Sequence, residues 1–268
     1  MENLILIDTS YTTYYRFFAT SRWMKIAHPE IENPFESDIF IEKYKKLYLE
    51  SIIKLIGKKI FNNSKIIFCM DTSKNNVWRN KIKSDYKGDR CNLNIHKPTF
   101  SYTYDSIIPE ILKNNSNISS LRFDHLEADD IIAIICNYFE INNPKTNIYL
   151  ISGDNDFLQL GRDNLYFINY KQKELVTLSK DEALMKLHNK ILLGDTSDCI
   201  KSIFLNSKIK PKLKKELVLS IEKFNEFIKM NKEIEEKYIE NKKLIDFNFI
   251  PKKYQDIILN KLYELISI

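Results

Sequence analysis

No two of the four cysteines in this chain, Cys69, Cys91, Cys136 and Cys199, form a CxxC pair, and none has a histidine companion at zinc-ligand spacing. Neither a structural zinc site nor a disulfide framework is therefore suggested. Cys69 lies in an apolar run and Cys136 on an apolar helical face, as expected of reduced, buried thiols in a cytosol-like compartment. No apolar stretch reaches the roughly 18 residues that a membrane span requires. The first residues lack the basic region and apolar core of a signal peptide, so an intracellular, non-secreted protein is expected. Internal repeats and low-complexity linkers are also missing.

What is present reads as folded throughout. Hydrophobic residues make up 44% of the 268 and charged residues 29%, an ordinary globular balance that rules out a disordered or fibrous chain. The length suits one α/β core with an appended helical lobe.

Short apolar runs bounded by polar residues predict strands at Leu4 to Ile7, Ile66 to Met70, Leu121 to Phe123, Ile148 to Ile151 and Leu165 to Ile168. Apolar residues at helical spacing predict helices over Phe40 to Ile60 and Ala128 to Phe139. Strands alternating with helices imply an α/β fold, with a mostly parallel central sheet flanked by helices. From Ser179 onward the pattern is almost wholly helical, as in Leu213 to Ile228 and Tyr254 to Ile266. The expected division is therefore an α/β core over 1–178 and a helical C-terminal lobe over 179–268. Within the core, 74–120 shows no convincing strand and reads as an insertion over the sheet edge.

Charge is unevenly placed. From Lys201 to the end there are 15 lysines against 10 acidic residues, which accounts for the whole net charge of +5. A second basic zone runs from Lys74 to Lys97, with seven basic residues against Asp85 and Asp89. Two basic zones around an acidic middle suit a polyanionic ligand.

The acidic middle carries the chemistry. Three predicted strands end in an aspartate: LILI before Asp8, IIFCM before Asp71, and IYLISG before Asp154. Carboxyl ends of parallel strands face the ligand crevice, so these side chains are expected to converge. Glu127, Asp129 and Asp130 open a helix; Glu127 and Asp130 share a face, while Asp129 points elsewhere on the turn. Asp156 follows Asp154, and Asp195 and Asp198 stand in GDTSD. Taken singly, each of the nine reads more readily as a helix cap or turn former than as a ligand. Nine ionised carboxylates aimed at one crevice repel one another unless cations neutralise them. An all-oxygen set without His or Cys favours two Mg²⁺ or Mn²⁺ ions, the chemistry of phosphodiester cleavage.

In order and spacing these segments resemble the 5′-nuclease family, which includes flap endonucleases, bacteriophage RNase H and 5′-exonucleases, and the 5′-nuclease domain of bacterial DNA polymerase. The resemblance runs from Leu4 to Ile200, and every acidic position is filled. It identifies the core as PIN-like and 74–120 as a helical arch or gateway, with WRNKIKSDYKGDR above the metals. By that similarity Lys87 and Arg90 are catalytic and grip the scissile phosphate, with Arg79 and Lys83 assisting on the nucleic acid. Guanidinium and ammonium groups suit these tasks.

One segment departs from the family. After GDTSD a glycine-rich helix-hairpin-helix is expected, but no glycine follows Gly194. Close backbone approach to a duplex is therefore not expected there. What remains is charge, from Lys201, Lys208, Lys210, Lys212, Lys214 and Lys215, a degenerate region able to track a phosphate backbone through counterion release. The C-terminus carries no convincing sliding-clamp peptide.

The resemblance implies a structure-specific 5′-3′ exonuclease or flap endonuclease. Its substrate would be DNA with a 5′ flap, a nick or a 5′-ended duplex, or an RNA–DNA hybrid, in replication primer removal or repair, wherever the genome replicates. Two alternatives stay open: a PIN-type ribonuclease, and a nucleic-acid-binding factor without catalysis.

Overall fold

The computed structural model describes residues 2–31, 33, 35, 37–73, 76–88 and 97–266. Arg90 and Cys91 lie outside the described residues.

All five apolar runs form strands: β1 (Asn3–Asp8), β2 (Lys65–Met70), β3 (Ile118–Arg122), β4 (Asn147–Ile151) and β5 (Leu165–Ile168). They make one sheet of order β3-β2-β1-β4-β5 in which every pair is parallel. The chain first builds outward from β1 through β2 to β3, then crosses to the other side of β1 for β4 and β5. Such a reversal opens a crevice at the carboxyl ends of β1 and β4. Register sets Asp8 beside Cys69 and Ile7 beside Ile151, so the ends of β1, β2 and β4 lie next to one another. β3 begins three residues earlier than its apolar run predicts. Ser119 and Ser120 are half-buried strand residues at the sheet edge.

Contacts divide the chain into two compact units. The first comprises Met1–Thr72, Asn92–Asp154 and Asn164–Thr177 and contains the sheet. Its helices are α1 (Thr9–Ala27), α2 (Asp38–Ile56), α3 (Lys58–Asn62), α4 (Lys97–Tyr102), α5 (Ile108–Asn114) and α6 (Ala128–Asn142), with a π-helical turn at Thr103–Ile107. The single helix expected over Phe40 to Ile60 breaks at Gly57, whose φ of +89° leaves helical geometry.

Strand alternation distributes the core to both faces. Ile5, Ile7, Ile66 and Phe68 pack with Met24, Phe40, Tyr44, Tyr48 and Ile52 of α1 and α2. On the opposite face, α6 lies against β1 and β2 and buries Ile131, Ile132, Ile135 and Phe139. Each such side chain stabilises the fold by about 1.5–3 kcal/mol. Cys69 and Cys136 are fully buried, and burial holds the Cys69 thiol well above its ordinary value, which makes it unreactive.

The second unit comprises Ser73–Cys91, Asn155–Asp163 and Leu178–Ile268. Its longest segment begins at Leu178, and it also takes two earlier segments, including the WRNKIKSDYK stretch. It is helical: α7 (Lys180–Leu193), α8 (Pro211–Leu219), α9 (Ile221–Ile228), α10 (Lys232–Ile245) and α11 (Lys252–Ile266). Short 3₁₀ turns lie at Trp78–Lys81, Asn155–Leu160, Thr196–Asp198 and Phe247–Phe249. The helix expected from Leu213 to Ile228 is two, because Ser220 adopts an extended conformation and caps α9 through the Lys223 amide. Two clusters fill the unit, one around Tyr86, Ile191, Ile200 and Leu244, the other around Leu192, Phe204, Leu217 and Phe224. Among the described residues, no helix is long and apolar enough to cross a membrane.

Candidate active site

In the first unit, strand ends supply the acidic groups and local hydrogen bonds fix them. Asp8 closes β1 and caps α1: its Oδ1 accepts from the Tyr11 amide at 3.0 Å. Its Oδ2 accepts from Ser152 Oγ at 2.8 Å, and the same hydroxyl accepts the Asp154 amide at 3.1 Å. Ser152 thereby joins the ends of β1 and β4. Gly153 between them leaves room for the Tyr11 ring, which a Cβ there would meet at 2.6 Å.

Asp71 follows β2. Its Oδ1 accepts from the Ala128 amide, the first of α6, at 2.8 Å, and its Oδ2 accepts from Ser10 Oγ. The Thr72 amide donates to the Leu126 carbonyl, holding the end of β2 against the entry to α6. At that entry Glu127 and Asp130 form a capping box, with the Glu127 amide donating to Asp130 Oδ2 at 3.1 Å. Glu127, Asp129 and Asp130 each offer a carboxylate oxygen, and these lie within 4.8 Å of one another. Asp129 therefore joins the group, contrary to the expectation that it points elsewhere: its Oδ1 accepts the Asp130 amide, which turns the side chain back along the helix start.

Six predicted ligands, Asp8, Asp71, Glu127, Asp129, Asp130 and Asp154, thus form a cluster at adjacent strand ends and the start of α6, in which Ser152 bridges Asp8 to the Asp154 amide and Asp71 binds Ser10 and the first amide of α6. Its electrostatics show the strain of like charges. Dense packing around the Asp8 carboxyl, together with the charges of Asp71 and Asp154, raises it to about 7, against the lowering effect of the Tyr11 and Ser152 hydrogen bonds. A divalent cation relieves that cost by stabilising the ionised carboxylate. The all-oxygen donors and the close Glu127, Asp129, Asp130 group fit a hard ion of the Mg²⁺ or Mn²⁺ type.

The second unit holds the other three. Asp156 lies on the 3₁₀ turn Asn155–Leu160, and Asp195 and Asp198 lie on the loop after α7. Their carboxylate oxygens also fall within 4.8 Å of one another. The loop is closed by paired bonds between the backbones of Asp195 and Ile200, both 2.8 Å. Gly194 permits the turn: its φ is +75°, and a Cβ would lie 2.4 Å from the Ile200 carbonyl oxygen. Lys190 of α7 reaches Asp156 and, at 2.7 Å, Asp195. Burial raises the Asp195 carboxyl, but the Lys190 hydrogen bond and charge and the Ser197 hydrogen bonds outweigh it and hold the group at about 2. Lys190, Ser10 and Ser152 were not evident in the sequence, because nothing in local spacing marks a partner that distant.

The basic residues separate into kinds. Lys87, with φ of +55°, donates its amide to the Asp198 carbonyl at 3.2 Å and places Nζ 4.0 Å from Asp198 Oδ2. Tyr86 donates its hydroxyl to the same carboxylate at 3.3 Å. Lys83 pairs with Asp85 at 2.7 Å. Arg79, expected to assist on nucleic acid, is only 2% exposed; its Nε donates to the Leu244 carbonyl at 2.9 Å and its guanidinium lies over the Trp78 ring. That packing leaves it little surface for a phosphate. Lys201, Lys208, Lys210, Lys212 and Lys215 are exposed, whereas Lys214 is half-buried and donates to the Phe204 carbonyl at 3.2 Å.

Comparison with known proteins identifies the family. Residues 3–188 match the family described as 5′-3′ exonuclease, N-terminal resolvase-like domain. Ribonuclease H of Enterobacteria phage T4 is 28% identical over 249 residues, covering 85% of this chain and 79% of that protein. A 5′-3′ exonuclease of Mycoplasmopsis pulmonis is 29% identical over 209 residues, covering 75% of this chain but only 62% of the relative. Among solved structures, a bacteriophage T5 protein co-crystallised with metal ions superimposes with a TM-score of 0.69 at 19% identity, covering 98% of this chain and 99% of that one. A bacteriophage T5 flap endonuclease in a pseudo-enzyme-product complex with DNA and metal ions gives a TM-score of 0.66 at 17% identity, with both chains covered completely. The T5 structures share the fold; the match over residues 3–188 establishes that the chain belongs to the 5′-3′ exonuclease family.

Proposed function

We propose that the protein is a metal-dependent 5′-nuclease that hydrolyses phosphodiester bonds in DNA or in RNA annealed to DNA, at 5′ ends and flaps, for primer removal or repair. The observation that carries this reading is the gathering of carboxylates at the ends of β1, β2 and β4 and the start of α6, where Ser152 ties Asp8 to the Asp154 amide and Asp71 binds Ser10 and the first amide of α6. The phage relative named ribonuclease H supports the hybrid substrate, and the T5 flap endonuclease bound to DNA supports the flap.

Two divalent ions, when bound, would supply an activated water and stabilise the leaving oxygen. Within the first unit the ligands would be Asp8, Asp71, Glu127, Asp129, Asp130 and Asp154, and within the second unit Asp156, Asp195 and Asp198. Ser10, Ser152 and the α6 amides fix the carboxylate rotamers before substrate arrives, which limits reorganisation during the reaction. Lys87 and Arg90 would hold the scissile phosphate and its growing charge. Lys83 and the exposed lysines after Asp198 would follow the phosphate backbone without reading sequence.

Cleavage of 3′-labelled 5′-flap, nicked duplex and RNA–DNA substrates in Mg²⁺, beside single-stranded RNA, tests the substrate class. Products released from 5′ ends or flap junctions support the reading. Cleavage of single-stranded RNA alone would replace it with a ribonuclease of the PIN type.

A further inference from the structure

The second unit carries a groove that the acidic centre does not use. It is lined by Trp78, Lys81, Ile82, Lys243, Phe249, Pro251, Lys253 and Tyr254, and encloses about 330 Å³. That is the lower end of the range for pockets holding one small organic group. Three of the eight are aromatic, three are lysines, and none is acidic.

Its walls come from three segments. Trp78 and Lys81 lie on the 3₁₀ turn Trp78–Lys81, Lys243 on the last turn of α10, and Lys253 and Tyr254 at the start of α11. Arg79 joins the first two walls: bound to the Leu244 carbonyl, it packs its guanidinium 4.6 Å from the centre of the Trp78 ring. The groove is therefore built without a ligand. Phe249 is 41% exposed and Ile82 39%, so apolar surface is held open to solvent between exposed lysines.

We infer that this groove is an accessory site for an unpaired nucleotide of single-stranded nucleic acid, with the base against the exposed Phe249 ring and the flanking phosphates on Lys81, Lys243 and Lys253. Every base has a π-face, so aromatic stacking accepts any sequence, while lysines on separate segments match charges repeated along a backbone. An open groove lets the polar edges of the base stay in water, which an apolar floor requires. A duplex does not fit the same chemistry, because pairing and stacking hide the base faces. The inference rests on the proposed nucleic-acid substrate for the source of the strand, and on the groove alone for the contact.

Fluorescein-labelled dT12 in EDTA tests the contact without cleavage. In a Trp23→Phe background, Trp78 is the single remaining tryptophan and reports locally. dT12 is expected to quench Trp78. Phe249→Ala should weaken dT12 binding about 5- to 100-fold, the range for losing one stacking contact. A Lys243→Ala, Lys253→Ala pair should weaken it and flatten its salt dependence by roughly 1.4 in log–log slope. Both groove variants should keep Mg²⁺-dependent cleavage of a nicked duplex, which has no unpaired strand. Unchanged Trp78 emission with dT12, or wild-type affinity in both groove variants, overturns the inference. Quenching of Trp78 by an acidic peptide with one aromatic residue, but not by dT12, overturns it in favour of a protein partner. If dT12 quenches Trp78 but no substrate is cleaved in Mg²⁺, the nuclease reading fails and the groove assignment stands.

Discussion

Lys190 Nζ lies 2.7 Å from Asp195 Oδ2, within the group that Asp195 forms with Asp156 and Asp198. The ammonium balances part of a charge that an entering cation would also balance, so the two compete. Lys190→Met should destabilise the metal-free protein at neutral pH by about 1–3 kcal/mol, as expected for losing hydrogen bonds between charged groups. The increase in melting temperature on adding Mg²⁺ should then be larger in the variant than in the wild type. Asp195 is held at about 2, below its unfolded value, so its contribution is full above roughly pH 4 and disappears as pH falls through about 2. Without Lys190 that loss should begin at higher pH, which acid-unfolding curves will reveal.

Asp8 has the opposite sign. Its carboxyl is raised to about 7, so ionising it costs stability: the penalty is absent below its unfolded value near pH 4, grows as pH rises, and is complete above about 7. Metal-free Asp8→Asn should therefore match the wild type in melting temperature near pH 4 and exceed it at pH 8. The residual solvent contact of Asp8 limits the gain to a few kcal/mol. Metal binding must displace the Asp8 proton, so wild-type Mg²⁺ affinity, measured by titration, should fall with pH below about 7 and level off above it.

Lys87→Ala should reduce single-turnover cleavage by about 10²–10³-fold while leaving thermal stability within about 1 kcal/mol. Its side chain is only 17% exposed, but its Nζ ends at the acidic group, 4.0 Å from Asp198 Oδ2, and it belongs to neither apolar cluster of the second unit. Rapid-quench rates and melting curves on the same preparations separate the two effects.

Gly194→Ala tests the loop that presents Asp195 and Asp198. The new Cβ meets the Ile200 carbonyl oxygen at 2.4 Å in a left-handed backbone, so either the Asp195–Ile200 pairing or the turn must give way. A loss of about 2–4 kcal/mol is expected from chemical denaturation, together with weaker metal binding.

Much of the first unit was legible because an aspartate that ends an apolar run is visible without knowing its neighbours. Asp8, Asp71 and Asp154 stand where the parallel sheet needed them. β3 was mislocated because Ser119 and Ser120 break its apolar run, and only pairing with Ile67 and Phe68 reveals them as strand. Gly57 and Ser220 divided helices whose apolar spacing runs straight through them. Arg79 looked like a phosphate ligand because its burial depends on Leu244, a partner 165 residues away. Lys190 stayed hidden for a different reason: a lysine on a helix is ordinarily solvated, and only the folded loop brings Asp195 to it.

The central claim is that the clustered carboxylates make a metal-dependent nuclease. Its most direct test is the initial rate of 5′-flap cleavage by the wild type in saturating Mg²⁺ and in EDTA, with Asp154→Ala assayed alongside. The account predicts no cleavage in EDTA and at least a roughly hundredfold loss in Asp154→Ala. Equal product with and without metal would contradict it.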